Sequence, residues 1–197
     1  MVERARRDTR IGPAIDRSLI DRARKGDPDA FETIVRARMD AVYRLTSAIL
    51  GDEGDARDAA QETFVAAWRQ LPRLRDPEKF EAWLQRVAVN ASRMTLRARG
   101  RRRIREIPSS AVQAATSRAV GGGGTSPDRD DAAILDAALA TLSVDQRAIL
   151  VLHHLEGRPL AELAAIFDIP LGTAKSRLFA ARRALAAELA REQERGR

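Results

Sequence analysis

Hydrophobic residues recur along most of this chain at intervals of three and four, the spacing that places side chains on one face of an α-helix. The clearest example is the stretch from Pro77 to Arg103, whose apolar positions are Phe80, Trp83, Leu84, Val87, Ala88 and Ala91. No stretch alternates apolar and polar residues as a half-buried strand does. The sequence therefore predicts an all-α protein.

Start and stop residues divide the first half of the chain into four predicted helices, at 16–25, 27–50 and 52–71 and from Pro77 onward. Gly26 and Gly51 end the first two. Asp27 is followed by a proline, the order preferred for an N-cap and a first helical residue. Residues 1–15 are polar and rich in arginine, which predicts a disordered arm. Residues 16–105 are predicted to form one domain.

The second half of the chain begins with a change of composition. Residues 106–129 hold four consecutive glycines, two prolines and several serines and threonines, which predicts a flexible linker. Helical spacing returns in a predicted second domain, 130–191, where Ser143 and Gln146 have the spacing of a capping box. A short helix from Pro159, a tight turn and a longer basic helix from Thr173 follow the helix-turn-helix plan. A helical hairpin formed for packing alone is the alternative.

The polar side of the central helix indicates the kind of partner it binds. Arg86, Asn90, Arg93 and Arg97 recur at steps of four, three and four, so they fall within an arc of roughly 60°, about 120° from the centre of the apolar face. Seven arginines and no acid occur between Arg93 and Arg105. A solvated surface helix usually mixes both signs of charge, and a second basic helix lies near the C-terminus. We therefore favour a polyanionic partner over a merely solvated face.

Composition and missing motifs narrow the function further. The net charge of +7 favours nucleic acid, and the absence of cysteine excludes disulfides, thiolate zinc sites and cysteine nucleophiles. The only histidines, His153 and His154, are adjacent and point about 100° apart on a helix, which suits a metal poorly. No phosphate-binding, dinucleotide-binding or serine-hydrolase motif occurs. We expect no enzymatic activity, no cofactor and no metal. A signal peptide and apolar runs of about 18 residues are also missing, which predicts a cytoplasmic protein without membrane insertion.

Three segments closely resemble one family of bacterial proteins. They are DARDAAQETFVAAWRQL (55–71), FEAWLQRVAVNASRMTLRARGRRR (80–103) and LEGRPLAELAAIFDIPLGTAKSRLFAARRAL (155–185). The family is that of the extracytoplasmic-function (ECF) sigma factors, which keep only the second and fourth conserved regions of sigma factors. The resemblance covers roughly 17–105 and 130–190. It implies a protein that binds core RNA polymerase through the β and β′ subunits and directs initiation at promoters whose −10 and −35 elements it reads. An anti-sigma factor, if one exists, would be a further partner.

The resemblance also implies roles for individual residues. Residues implied in binding core polymerase are Asp55, Asp58, Gln61, Glu62, Trp68 and Arg69. Residues implied at the −10 element are Leu74, Arg86, Asn90, Arg93, Arg97 and Arg101. Among these, Asn90 would read an exposed base of the melted strand, and Leu74 would line the pocket of a flipped base. Residues implied at the −35 element are Thr173, Lys175, Ser176, Arg177, Phe179, Arg182 and Arg183. Ala180 stands where many members have arginine, which leaves the −35 sequence open.

The length of the predicted linker constrains how both domains could read one promoter. Two sites about two helical turns apart require a reach of ~70 Å. A flexible chain of about 23 residues averages only ~26 Å between its ends and reaches about 75–80 Å when fully extended. We therefore expect promoter reading only while the polymerase holds the domains apart. The alternative function is a stand-alone helix-turn-helix regulator that binds duplex DNA. An enzyme acting on nucleic acid would need carboxylates or a metal site that no segment predicts.

Overall fold

The all-α prediction is confirmed. The computed structural model describes residues 15–105 and 127–195, so most of the predicted arm and most of the predicted linker lie outside the described residues. Within these two ranges every regular element is a helix. The elements are α1 (Arg17–Arg24), α2 (Pro28–Leu50), α3 (Glu53–Gln70), two 3₁₀ turns (Leu71–Arg73 and Pro77–Lys79), α4 (Phe80–Arg105), α5 (Pro127–Thr141), α6 (Val144–His154), α7 (Leu160–Phe167) and α8 (Leu171–Arg195).

Side-chain caps start two of these helices where the sequence predicts them. The Asp27 carboxylate accepts hydrogen bonds from the N–H groups of Asp29 at 3.0 Å and Ala30 at 3.1 Å, so this residue is the N-cap of α2. Ser143 and Gln146 form the predicted capping box at the start of α6. Because the first N–H groups of a helix have no partner within it, these bonds fix where each helix begins.

Three helix starts differ from the prediction. Pro77 opens a 3₁₀ turn, and α4 itself begins at Phe80. α8 begins at Leu171, two residues earlier than predicted, and α5 begins at Pro127, within the range predicted as linker. Pro127 and Pro170 stand at the two earlier starts. Proline is tolerated there because the first N–H groups of a helix need no intrahelical acceptor.

The first domain packs the apolar side of α4 against α2 and α3. Phe80, Leu84 and Ala88 are each no more than 3% exposed, as their spacing predicts. Buried side chains supplied by α2 and α3 include Ile34, Leu45, Ile49, Ala59, Ala60 and Phe64. This packing fixes the rotation of α4 about its axis and keeps the opposite side of the helix out of the core.

An ion pair between a buried arginine and a half-buried glutamate also joins α2 to α4. Arg38 is 1% exposed, and its Nε and Nη2 atoms donate hydrogen bonds to Glu81 Oε1 over 2.8 and 2.6 Å. Arg38 lies on the apolar side of α2, between Ile34 and Val42, which are both buried. A charge buried at such a position is unfavourable unless it is paired. The pair therefore ties the position of α4 along its axis to that of α2.

The second domain contains the predicted helix-turn-helix. Asp168 ends α7 in the left-handed region, with φ of 56°, a conformation that aspartate tolerates better than most residues. Four positions on α8 are predicted to point inward, of which Ala174, Leu178 and Ala181 are each no more than 4% exposed and Leu185 is half-buried. The other side of α8 is therefore turned outward.

The two domains pack directly against each other. α6 lies against α2, and α4 contacts both α6 and α7. α4 thus belongs to the core of the first domain and to the boundary with the second.

Replacing Glu81 with glutamine should lower the free energy of unfolding by about 3 kcal/mol, because buried Arg38 loses its carboxylate partner. The matched change Glu32→Gln removes a carboxylate from Arg36 in a surface pair whose side chains are 59% and 80% exposed. That change should cost less than about 1 kcal/mol. Urea unfolding followed by circular dichroism measures both. Equal losses in the two variants would contradict a stabilising role for the buried pair.

Candidate nucleic-acid interface

The polar side of α4 forms a basic ridge, defined here as Arg86, Asn90, Arg93, Arg97 and Arg101. Asn90, Arg97 and Arg101 are exposed, and Arg86 and Arg93 are half-buried. Guanidinium groups bind phosphates whatever the base sequence, whereas an amide can donate and accept hydrogen bonds at a base edge. The basic ridge therefore has the chemistry to hold a nucleic-acid backbone and to read a base.

Two arginines of the basic ridge form ion pairs with carboxylates of the second domain. Arg86 Nη2 donates to Asp168 Oδ2 at 2.8 Å, and Arg93 Nε donates to Asp145 Oδ1 at 2.7 Å. Arg93 Nη1 also donates to Asn90 Oδ1 at 2.8 Å. The structure thus divides the basic ridge into two parts. Arg86 and Arg93 face the second domain, whereas Arg97 and Arg101, further along α4, are exposed.

α8 presents the second predicted DNA-binding surface. Phe179 is 62% exposed, and the Arg183 guanidinium lies 6.0 Å from the centre of its ring. Thr173 is half-buried, whereas the other predicted positions are exposed, namely Lys175, Ser176, Arg177, Phe179, Arg182 and Arg183. The structure therefore brings the whole predicted set to the outer side of one helix. An exposed ring beside guanidinium groups can make apolar contacts with bases while the charges hold phosphates.

His154 orients one of these arginines, a role that sequence reasoning missed. Arg182 Nε donates to His154 Nε2 at 3.2 Å, so the imidazole must be neutral and carry its proton on Nδ1. Partial burial lowers the pKa of His154, and the positive charges of Arg182 and His153 lower that pKa further. The accepting form of the ring is therefore the one present at neutral pH.

α3 presents the polar face predicted for polymerase binding. Its exposed predicted residues are Asp58, Gln61, Glu62, Trp68 and Arg69. The Trp68 ring is centred 4.9 Å from that of Phe31. Asp55 differs from the others because it is half-buried and accepts a hydrogen bond from Arg99 Nη1 at 2.8 Å. Asp55 therefore helps to hold α3 against α4 in this structure.

Leu74 is set apart from the other predicted −10 residues. It is 8% exposed and belongs to the hydrophobic core, and its N–H donates to the Leu71 carbonyl at 3.0 Å. A pocket for a flipped base at Leu74 would require this turn to move. The contact with a base stays a prediction.

Three residues that link the domains carried no role in the sequence prediction. Asp145 and Asp168 pair with the basic ridge as described above, and Arg147 on α6 is 8% exposed. The signal available in the sequence was an arginine directly before a run of apolar residues, since Ala148 and the four residues that follow it are all buried. Such a position predicts that the arginine has buried polar partners.

The described residues contain neither a cluster of metal-ligating side chains nor a helix that could span a membrane. In residues 15–105 and 127–195, no cluster of three or more histidine, cysteine, aspartate or glutamate side chains could hold a metal ion. Across the same part of the chain, no helix is both long and apolar enough to cross a membrane.

Comparison with known proteins identifies the family. The family model of sigma-70 region 2 matches residues 34–102, and that of sigma-70 region 4 matches residues 132–185. The chain is 35% identical over 180 residues to the ECF RNA polymerase sigma-E factor of Salmonella typhimurium, covering 86% of this chain and 92% of that protein. It is 32% identical over 180 residues to the RNA polymerase sigma-H factor of Pseudomonas aeruginosa, covering 86% and 91%. A solved structure, the sigma factor RpoE in complex with the anti-sigma factor NepR from Bartonella quintana, is similar with a TM-score of 0.62, 25% identity, and coverage of 81% and 96%.

Two helical domains that match regions 2 and 4 in this order define a sigma factor rather than a stand-alone regulator. The chain belongs to the family of ECF sigma factors, which bind core RNA polymerase and direct promoter-specific transcription initiation. The family and the function predicted from the sequence are confirmed, and the alternative of a regulator that acts alone is not supported.

Replacing Arg182 with glutamine should raise the pKa of His154, because a neighbouring positive charge disfavours the protonated ring. Arg183→Gln removes the same charge from α8 at a position whose guanidinium faces Phe179, and it should leave this pKa nearly unchanged. NMR titration resolves the effect, since the chain has only two histidines. An unchanged titration in Arg182→Gln would contradict the placement of Arg182 beside His154.

Proposed function

We propose that α3 binds core RNA polymerase, that the basic ridge of α4 reads the −10 element and holds the melted strand, and that α8 reads the −35 element. The observation that carries this proposal is the two-sidedness of α4, whose apolar side is buried while Asn90 and Arg97 are exposed. The proposed domains are 16–105 and 130–191, joined by a linker at 106–129 whose last three residues already belong to α5. The protein acts in the cytoplasm as an initiation factor and catalyses no reaction of its own.

The support for a polymerase contact comes from the surface of α3. Asp58, Gln61 and Glu62 are exposed over more than one turn, and Trp68 is 39% exposed against Phe31. A large aromatic side chain beside charged groups is typical of the residues that dominate binding energy at interfaces. We assign this surface to the β and β′ subunits of the polymerase.

The support for −10 reading comes from the order of groups along α4. Asn90 lies among arginines, so that phosphate contacts on both sides would hold one base within reach of its amide. Arg97 and Arg101 are exposed and accessible to a backbone, whereas Arg86 and Arg93 must first leave their carboxylate partners.

The support for −35 reading comes from the first half of α8. Lys175, Ser176 and Arg177 are exposed close to the start of the helix, and it is the start of a recognition helix that contacts base edges in the major groove. Ala180 is exposed and cannot make the contact of an arginine. Arg183, one turn further along, is positioned to supply it.

An anti-sigma factor is the regulatory partner that we propose. The similar solved structure contains a sigma factor bound to an anti-sigma factor, and the match covers 96% of that chain.

Transcript mapping tests the proposed function. Core polymerase supplemented with this chain should initiate at a limited set of genomic sites that share sequences near −10 and −35. Initiation at the same sites without the chain, or at sites with no shared sequence, would refute the assignment.

The double change Asp58→Arg with Glu62→Arg should abolish association with core polymerase, because it reverses the charge of the exposed face of α3. The control, Asp40→Arg with Glu78→Arg, makes the same change in net charge at exposed positions outside α3 and should still bind. Co-purification with core polymerase measures both. If the two variants bind equally well, α3 is not the docking surface.

Asn90→Ala should impair promoter opening more than recruitment, because the arginines of the basic ridge continue to bind phosphates. The loss of one amide that reads one base is worth about 1–3 kcal/mol, or roughly 5- to 150-fold in open complex. Permanganate footprinting beside a polymerase-binding assay separates the two steps. Arg97→Gln is the control and should weaken binding similarly on every template. If Asn90→Ala behaved in the same sequence-independent way, Asn90 would not be a base reader.

A further inference from the structure

The two domains meet at Arg147, whose hydrogen bonds go to backbone carbonyls on both sides of the boundary. Arg147 Nη1 donates to the carbonyls of Ile49 at 3.0 Å and Leu50 at 3.3 Å in the first domain. Its Nη2 atom donates to the carbonyls of Ala140 at 3.1 Å and Leu142 at 3.3 Å in the second domain. One guanidinium group therefore spans both domains.

The accepting carbonyls lie at helix ends, where their chemistry favours a cation. The last carbonyls of a helix lack an intrahelical donor and carry a partial negative charge. Ile49 and Leu50 end α2, and Gly51 follows with φ of 69°. That left-handed conformation favours glycine, and a Cβ atom at Gly51 would be in ordinary contact with Arg147 Nη1, at 3.5 Å. Burial disfavours the charged guanidinium and lowers the pKa of Arg147. The hydrogen bonds to these carbonyls offset the cost of burying the charge.

Closure of the domains also places second-domain groups on the basic ridge. Asp168 lies 2.8 Å from Arg86, and Asp145 lies 2.7 Å from Arg93. The Arg93 guanidinium also lies 5.6 Å from the centre of the Phe167 ring. Each carboxylate takes the position on a guanidinium that a phosphate oxygen of DNA would take.

We propose that Arg147 is a latch that holds the two domains closed, and that in the closed state Asp145 and Asp168 compete with DNA phosphates for Arg86 and Arg93. The second half of this inference rests on the proposed DNA-binding role of the basic ridge, whereas the latch does not. A partner that separates the domains breaks the bonds from Arg147 to α2 and frees both arginines in the same movement. Separation of the two domains is therefore coupled to the release of Arg86 and Arg93 from their carboxylate partners.

Intramolecular energy transfer tests the latch without DNA. The chain has no cysteine, so Lys25→Cys and Ala190→Cys, both at exposed positions, place one dye on each domain. The efficiency of energy transfer should be high in this double-cysteine chain, and it should decrease when Arg147→Met is added. Because Arg147 also bonds within the second domain, Arg147→Lys is the second variant. It keeps the charge and stem but cannot bridge the same carbonyls. Unchanged transfer in a folded Arg147 variant overturns the latch, and reduced transfer with unchanged helicity supports it.

Binding of a fluorescein-labelled single-stranded DNA of about 20 nucleotides, at low salt, tests the masking. Asp145→Asn with Asp168→Asn should bind roughly 5-fold more tightly than the unmodified chain, because two arginines become available for phosphates. Asp136→Asn with Glu194→Gln raises the net charge equally at exposed positions and should change the affinity by less than about 2-fold. An equal gain in DNA affinity in the two double variants would contradict the masking of Arg86 and Arg93.

A final variant separates the failure of the masking from the failure of the proposed function. Adding Arg86→Gln and Arg93→Gln to the Asp145→Asn, Asp168→Asn chain should cancel its gain in DNA affinity. A gain that persists means that the DNA binds elsewhere, which refutes both the masking and the DNA-binding role of the ridge. The latch is still decided by the energy-transfer measurement alone.

Discussion

The division of α4 into an apolar side and a basic side is the constraint on which the rest of the structure depends. Phe80, Leu84 and Ala88 can be buried only if the ridge on the other side of the helix stays out of the core. A rotation of α4 by one residue, about 100°, would bury guanidinium groups without partners, which is far less favourable than exposing apolar ones. The core of the first domain therefore fixes the direction in which the ridge points. The ion pair between buried Arg38 and Glu81 also fixes the position of α4 along its own axis relative to α2.

In the proposed function the same division lets α4 contact the second domain and DNA in turn. Its ridge is cationic, so it attracts any well-placed anion, and the second domain supplies two such anions at Asp145 and Asp168. These exposed or half-exposed pairs are individually weak, so they are replaceable by the phosphates of DNA. Arg147 is different because it is buried and its acceptors are backbone groups that no mutation of side chains removes. The structure thus combines a specific, buried contact between the domains with exchangeable ion pairs at the proposed DNA-binding surface.

Features set by local chemistry could be predicted from the sequence, whereas features set by distant contacts could not. Helix existence, the N-cap at Asp27, the capping box at Ser143 and the inward side of α8 follow from signals within a few residues. The Arg38–Glu81 pair joins residues 43 positions apart, and the Arg147–Ile49 bond joins residues 98 apart. The spacing of hydrophobic residues along the sequence carries no information about such distant pairings. For the same reason the sequence did not reveal that Asp55 is held by Arg99 or that Leu74 is buried in the core.

The strength of closure has to lie within a narrow range for the proposed function. A flexible chain as long as the predicted linker, about 23 residues, averages ~26 Å between its ends and reaches about 75–80 Å when extended, so chain entropy would favour the closed state over a promoter-reading one. Hydrogen bonds from a charged donor add about 1.5–3 kcal/mol, which shifts the equilibrium roughly 10- to 150-fold further. Because linkage is reciprocal, whatever stabilises closure weakens the binding of a partner that needs the open form by the same factor. A much weaker latch would leave the ridge available to any nucleic acid, and a much stronger one would make polymerase binding too weak to open the chain.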